Sequence, residues 1–176
     1  MKTTAGKNLK LMALAAMFAA MVCVTTAYLF HIPVGANSGY IHLGDAFIYL
    51  AAAFLPWPYA VGAAAIGAAA ADILTGAAVW AVPTIIIKSL MVLPFTSRGQ
   101  KVLGLRNMAA VLISGIICIG GYYVAEGLMY GNWLMSFAGI WPGLLQSGGG
   151  GLLFLLLGAA LDKADMKQRL LARSHS

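Results

Sequence analysis

The chain has 176 residues, of which 61% are hydrophobic and only 9% are charged. Soluble domains carry about 25% charged residues, so this composition excludes an ordinary soluble domain. The net charge of +6 could indicate a nucleic-acid-binding protein, but the basic residues lie in short segments between apolar runs. We therefore predict an all-α polytopic membrane bundle of about six transmembrane helices, located in the cell membrane, with the lipid bilayer as a partner and no nucleic acid.

The apolar runs predict six spans, since a helix needs about 20 apolar residues to cross a bilayer. The first run is too long for the core of a signal peptide, so we predict a transmembrane helix there. Pro56-Trp57-Pro58 predicts a tight turn between the second and third spans, and Gly76 predicts the end of the third. The predicted spans form a single transmembrane domain over residues 1–176 and cover residues 9–30, 40–55, 58–74, 80–95, 107–130 and 140–161.

The distribution of basic residues predicts the orientation. Ten of the eleven lysine and arginine residues lie in the two tails and in segment 96–106, and the three opposite loops have none. Because short cytoplasmic loops are enriched in lysine and arginine, both termini are predicted to be cytoplasmic.

Apart from Lys10 at the very start of the first span, four charged side chains fall inside the predicted spans: Asp45, Asp72, Lys88 and Glu126. Charges within a bilayer are costly, and they are functional candidates by default. Counting 1.5 Å per residue places the three acids about 6–8 Å below the outer surface and Lys88 about 12 Å below it. We predict that Asp72 neutralises Lys88 as a structural ion pair. Asp45 and Glu126 are predicted ligand contacts, although a purely structural role for each acid stays open.

Further polar and aromatic residues share this outer layer, whereas the inner half has few. Together they predict a substrate-binding pocket that opens to the outside. His42, Asp45 and Tyr49 are spaced to share one helix face, as are Tyr122, Glu126 and Tyr130. Three acids against one lysine favour a neutral or cationic ligand. The predicted substrate-binding residues are His42, Asp45, Tyr49, Trp80, Lys88, Tyr122, Glu126 and Gln146.

Motifs for catalysis and metal binding are absent from the sequence. It has no phosphate-binding loop, no H-E-x-x-H and no G-x-S-x-G. Cys23 and Cys118 lie far apart in apolar runs and are interpreted as packing residues. We therefore predict neither an enzyme nor any cofactor or metal. The run Gly148–Gly151 predicts either a close helix contact or an unwound stretch near a ligand.

Three segments resemble one protein family. They are Gly39-Tyr-Ile-His-Leu-Gly-Asp45, the alanine- and glycine-rich span through Ala71-Asp72, and Pro83-Thr-Ile-Ile-Ile-Lys88. In this order they are similar to the substrate-binding S component of energy-coupling factor (ECF) transporters, in the riboflavin-type group. The resemblance implies that a small water-soluble vitamin binds at the outer face. It also implies a transmembrane coupling subunit and two cytoplasmic ATPase subunits as partners.

The resemblance also implies a docking surface on the first helix, where small residues spaced A-x-x-x-A contact the coupling subunit. The pairs Ala15/Ala19 and Ala16/Ala20 match this spacing, and ordinary helix packing would account for them equally well. Pyridoxine or hydroxymethylpyrimidine is the expected ligand in preference to riboflavin. The alternative hypothesis is a small membrane enzyme or scaffold protein.

Overall fold

The computed structural model describes residues 4–29, 32–34 and 39–172. These ranges contain eight α-helices and one pair of short antiparallel strands, so the prediction of an all-α bundle is confirmed apart from the strand pair. A single 3-10 turn at Ala78–Trp80 precedes the fourth helix. In chain order the elements are α1 (Thr4–Ala27), β1 (Ile32–Val34), β2 (Gly39–Ile41), α2 (Asp45–Phe54), α3 (Trp57–Leu74), α4 (Ala81–Val92), α5 (Leu105–Tyr130), α6 (Trp133–Ala138), α7 (Ile140–Lys163) and α8 (Met166–Ala172).

Four helical segments in the described ranges are long and apolar enough to cross a membrane: 5–27, 57–74, 105–130 and 133–163. The helical segments 45–54 and 78–92 are apolar but shorter than a full crossing. The chain is thus a helical membrane bundle. The second and fourth predicted spans correspond to helices that are shorter than the sequence indicated.

The predicted start of the second span at Tyr40 is wrong. Tyr40 lies in β2 opposite Pro33 of β1, and Ile41 lies opposite Ile32. Helix α2 begins only at Asp45, whose carboxylate in the first turn suits the positive end of the helix dipole. Phe30 and His31, predicted to end the first span and begin a loop, lie outside the described residues.

Residues 131–139, which connect the fifth and sixth predicted spans, contain the short helix α6. Asn132 caps this helix, because its side-chain oxygen accepts the backbone N–H of Met135 at 3.0 Å. The indole of Trp133 lies directly on Gly127 of α5, where an added Cβ would be 2.3 Å from the ring. Helix α6 is therefore seated on α5 rather than free in a loop.

Small residues bring α1 and α3 together at the predicted alanine- and glycine-rich span. A Cβ on Gly67 would lie 2.5 Å from the carbonyl oxygen of Ala19, so only glycine fits there without a backbone shift. Close approach through small residues is the usual way in which membrane helices pack. Tyr49, Phe95 and Phe154 form the aromatic centre of the core, with ring centroids 5.2–5.9 Å apart.

One end of the bundle joins the N- and C-terminal segments. The Lys10 ammonium donates a hydrogen bond to the carbonyl oxygen of Leu170 in α8 at 2.6 Å. At the same end, the carboxylate of Asp162 accepts the backbone N–H groups of Val102 and Leu103 at 2.6 and 2.9 Å. The described lysine and arginine residues other than Lys88 belong to the segments that meet at this end, and we call it the basic end. That it faces the cytoplasm stays a prediction.

Candidate functional site

The opposite part of the bundle contains a buried ion pair between α2 and α4. The Lys88 ammonium donates to a carboxylate oxygen of Asp45 at 2.6 Å, with the two side chains only 1% and 0% exposed. The predicted pairing of Lys88 with Asp72 is therefore wrong, although both assignments satisfy the requirement that a buried ammonium has a counterion. The spacing of residues along the chain does not indicate which of two acids on different helices lies next to Lys88.

The second oxygen of Asp45 is held by residues of α5 and α7. The Gln146 amide donates to it at 3.0 Å, and the Cys118 thiol lies 3.8 Å from it. The Cys118 sulfur also lies 3.6 Å from the Lys88 ammonium. Cys118 thus belongs to the polar cluster, and its interpretation as a packing residue was incomplete. Its position four residues before Tyr122 on α5 was the sequence signal for this.

Tyr122 contacts both Lys88 of the Asp45–Lys88 pair and the neighbouring residues Thr84 and Trp80. The Lys88 ammonium lies 5.3 Å from the centre of the Tyr122 ring, within the range of a cation–π contact. The Tyr122 hydroxyl and the Thr84 hydroxyl form a hydrogen bond at 3.0 Å. Thr84, one turn before Lys88 on α4, is a second member of the site that the sequence reasoning did not select.

An aromatic wall continues along α5, away from the basic end. The Trp80 ring lies 6.0 Å from the Tyr122 ring and 6.2 Å from the Tyr130 ring, measured between centroids. Because Glu126 lies between these tyrosines at i+4 spacing, it occupies the same face of α5. A Cβ added to Gly139 would lie 3.1 Å from a carboxylate oxygen of Glu126. The half-buried Glu126 side chain therefore reaches the junction of α6 and α7.

Of the two residues predicted to share a helix face with Asp45, only Tyr49 lies on α2. His42 precedes α2, and its buried Nδ1 accepts the backbone N–H of Gly44 at 3.1 Å and lies 3.4 Å from the Thr26 hydroxyl. The shared-face prediction is wrong for His42, because β2 delays the start of the helix. Tyr49 is on α2, but it is fully buried in the aromatic core.

The glycine run on α7 is part of a continuous helix, so the unwound alternative does not describe this structure. Gly149, Gly150 and Gly151 each lie against a residue from another segment of the chain. An added Cβ would lie 3.0 Å from Leu43 at Gly149, 3.2 Å from Asp45 at Gly150 and 2.9 Å from Val111 at Gly151. The glycine at 150 lets α2 approach α7 closely enough for Gln146, one turn earlier, to bind Asp45.

The alanine pairs on α1 face different surroundings. Ala15 and Ala19 are half-buried and pack against the core, whereas Ala16 and Ala20 are exposed on the surface of the bundle. The two matches to the predicted docking pattern are therefore not equivalent. One pair contributes to the bundle itself, and the other is open to a partner helix or to lipid.

An apolar helical bundle with charged residues buried between its helices defines a multi-pass membrane protein. Residues 6–163 match the family model described as ECF-type riboflavin transporter, S component. The chain belongs to this family, which is a family of membrane transporter components and not of enzymes. It is also 32% identical, over 112 residues, to a Pyrococcus woesei protein described as an uncharacterized protein in gap 3'region. That match covers 62% of this chain and 74% of the relative.

Proposed function

We propose that this chain is the substrate-binding subunit of a vitamin importer, which captures a small water-soluble vitamin or precursor at its outer face. An ATPase-driven coupling module, formed by a transmembrane coupling subunit and two cytoplasmic ATPases, then delivers the ligand inward. The observation that carries this proposal is the polar and aromatic layer between α4, α5 and α7. It contains Lys88, Tyr122, Glu126 and Gln146 together with the Trp80 ring.

The site divides into a buried base and a more accessible rim. Asp45 and Lys88 form the base, and their low exposure means that they support the rim instead of contacting a ligand in this conformation. Glu126 and Tyr122 are half-buried and Tyr130 is exposed, so they form the rim. A wall of aromatic rings with a few polar groups suits a flat heterocycle. This supports a pyridoxine- or hydroxymethylpyrimidine-like ligand in preference to the larger riboflavin.

Mass spectrometry of the chain purified in mild detergent tests this proposal. A copurified small heterocycle that is retained by the wild-type protein and reduced in Tyr122→Ala is the expected result. Tyr59→Ala, which removes a tyrosine from α3, is the matched control and should retain the ligand. Measured chemical turnover of a lipid or peptide by the purified chain would instead favour the membrane-enzyme alternative.

We place the docking surface for the coupling subunit on the exposed pair Ala16 and Ala20 of α1. Small side chains permit close approach of a partner helix, and leucines at these positions would hold it away. Ala16→Leu with Ala20→Leu should therefore spare ligand binding and abolish uptake. Ala19→Leu should instead destabilise the bundle, because the half-buried Ala19 side chain packs against the core and a larger side chain would overpack it. Normal uptake by the Ala16/Ala20 double variant would remove this face from the docking proposal.

A further inference from the structure

Helix α8 folds back on the basic end of the bundle and buries a lysine there. The Lys167 side chain is only 2% exposed, and within the part of the chain that the structure describes its ammonium forms no hydrogen bond. The Asp162 carboxylate lies within electrostatic range of Lys167, but its two oxygens already accept backbone N–H groups of Val102 and Leu103. Taking an ammonium out of water without a hydrogen bond is costly, so Lys167 opposes the seated position of α8.

Other contacts of α8 hold it against the bundle. The half-buried Leu170 side chain packs against the core, and its carbonyl oxygen accepts a hydrogen bond from the Lys10 ammonium of α1 at 2.6 Å. Gln168 and Arg169, on the other side of α8, are exposed. The seated position is thus a balance between these contacts and the buried ammonium, and a partner that binds Lys167 only when α8 is released would shift this balance.

The turn between α7 and α8 has the properties of a hinge. Asp165 has a φ of +51°, in the left-handed region that residues other than glycine seldom adopt. Ala164 and Asp165 are both exposed, so a rotation of the backbone there disturbs no buried side chain. Changes of φ and ψ at a few residues beside a helix end are a usual way for a short element to swing relative to its neighbours.

The place of α8 along the chain indicates what it meets when it is released. The last segment long enough to cross a membrane covers residues 133–163, and α8 begins at Met166. At 1.5 Å per residue, α8 therefore starts about 5 Å beyond the crossing, at the level of the lipid headgroups. Anionic lipids attract basic segments that adjoin a transmembrane helix, and phosphate oxygens accept hydrogen bonds from lysine. The exposed Lys163 and Arg169 add to this attraction.

We infer that α8 is a strap that swings off the basic end about the turn at Asp165 and binds anionic lipid headgroups through Lys167. In the seated form the lysine is buried, and in the released form its ammonium donates to a lipid phosphate. This inference is independent of the vitamin site and of the compound that binds there.

The distance between spin labels on α8 and α1, measured by electron paramagnetic resonance, tests this inference. The labels would be attached to the full chain at the exposed positions of Gln168→Cys and Asn8→Cys, with Cys23→Ala and Cys118→Ala removing the native thiols. Nanodiscs of phosphatidylcholine alone should give one short distance, that of the seated form. Nanodiscs that also contain phosphatidylglycerol should add a population longer by roughly 5–10 Å, because the seven residues of α8 span about 10 Å.

Two variants distinguish the buried lysine from overall charge. Lys167→Met keeps a long side chain but removes the charge, so α8 should stay seated in both lipids. Lys163→Gln removes an exposed charge at the same end, and the longer distance should persist. Inorganic phosphate added to phosphatidylcholine nanodiscs should leave the short distance unchanged.

Three results would overturn the inference. One is the same distance distribution with and without phosphatidylglycerol. Another is a longer population that Lys167→Met retains, or that Lys163→Gln reduces as much as Lys167→Met does. The third is release by inorganic phosphate alone, which would make a soluble anion and not the membrane surface the partner of Lys167.

Discussion

Removing the carboxylate of Asp45 should destabilise the bundle strongly. In Asp45→Asn the Lys88 ammonium stays buried at 1% exposure without its counterion. Breaking a buried pair in this way costs about 3–5 kcal/mol. The Gln146 amide can still donate to the oxygen of the new asparagine, so the loss should arise from the ammonium and not from the amide. Reversible unfolding in mixed micelles, titrated with sodium dodecyl sulfate, measures the change.

A second substitution distinguishes the ion pair from simple loss of packing. Replacing a buried pair as a whole is often close to neutral, so Asp45→Asn with Lys88→Met should regain much of the lost stability. The expected coupling free energy is about 2–3 kcal/mol, typical of residues in direct contact. Asp72→Asn with Lys88→Met is the matched control, and its effects should add within about 0.5 kcal/mol. The pairing of Asp45 with Lys88 would be refuted if the losses of unfolding free energy at these two residues simply add. Strong coupling between Asp72 and Lys88 would refute it as well.

Three further predictions concern the ends of the bundle. Gly127→Ala should destabilise the folded protein by about 1–3 kcal/mol, because the new Cβ would overlap the indole ring of Trp133. Gly120→Ala on the same helix is the control and should be neutral, because a Cβ there meets open space. Equal effects of the two substitutions would contradict the packing of α6 against α5. Burial lowers the pKa of Lys167, so stability should fall as pH decreases from about 10.4 towards that lowered pKa, and Lys167→Met should abolish this dependence. In a cysteine-free background, Ala138→Cys should react with an impermeant thiol reagent from outside and Gln100→Cys should not; the reverse pattern would invert the topology.

The prediction for Lys167 has a specific structural basis. Its side chain on α8 is only 2% exposed, and its ammonium has no hydrogen-bond partner among the described residues. The folded state therefore holds this proton less readily than the unfolded state does. Stability is lost as pH falls below the unfolded pKa, and a pH-independent wild-type protein would contradict the buried placement.

The apolar runs predicted the helical bundle because their signal is long and strong. Pro58 in the first turn of α3 and Gly76 just after its end mark boundaries that local chemistry determines, since proline suits a first turn and Gly76 has a φ of +81°. The strand pair before α2 was missed because each strand is only three residues long. Alternation over three residues is too short to compete with a neighbouring apolar run.

The composition of the site was easier to predict than its pairings. Charges within apolar runs indicated Asp45, Lys88 and Glu126, because a bilayer makes such residues costly. The choice between Asp45 and Asp72 as the counterion depends on how helices pack, and sequence spacing carries no information on that. Cys118 was missed for a related reason, since a thiol looks like a small apolar residue until a charged group is packed against it.

ATP-dependent uptake into proteoliposomes tests the central claim most directly. Vesicles would contain this chain, the coupling subunit and both ATPases, and would be supplied with labelled hydroxymethylpyrimidine, pyridoxine, thiamine or riboflavin. We expect accumulation of one of these compounds only when the chain and the coupling module are both present, and loss of accumulation in Glu126→Gln. Accumulation by the module without the chain, or none of the four compounds entering with both present, would contradict a substrate-binding role for this protein.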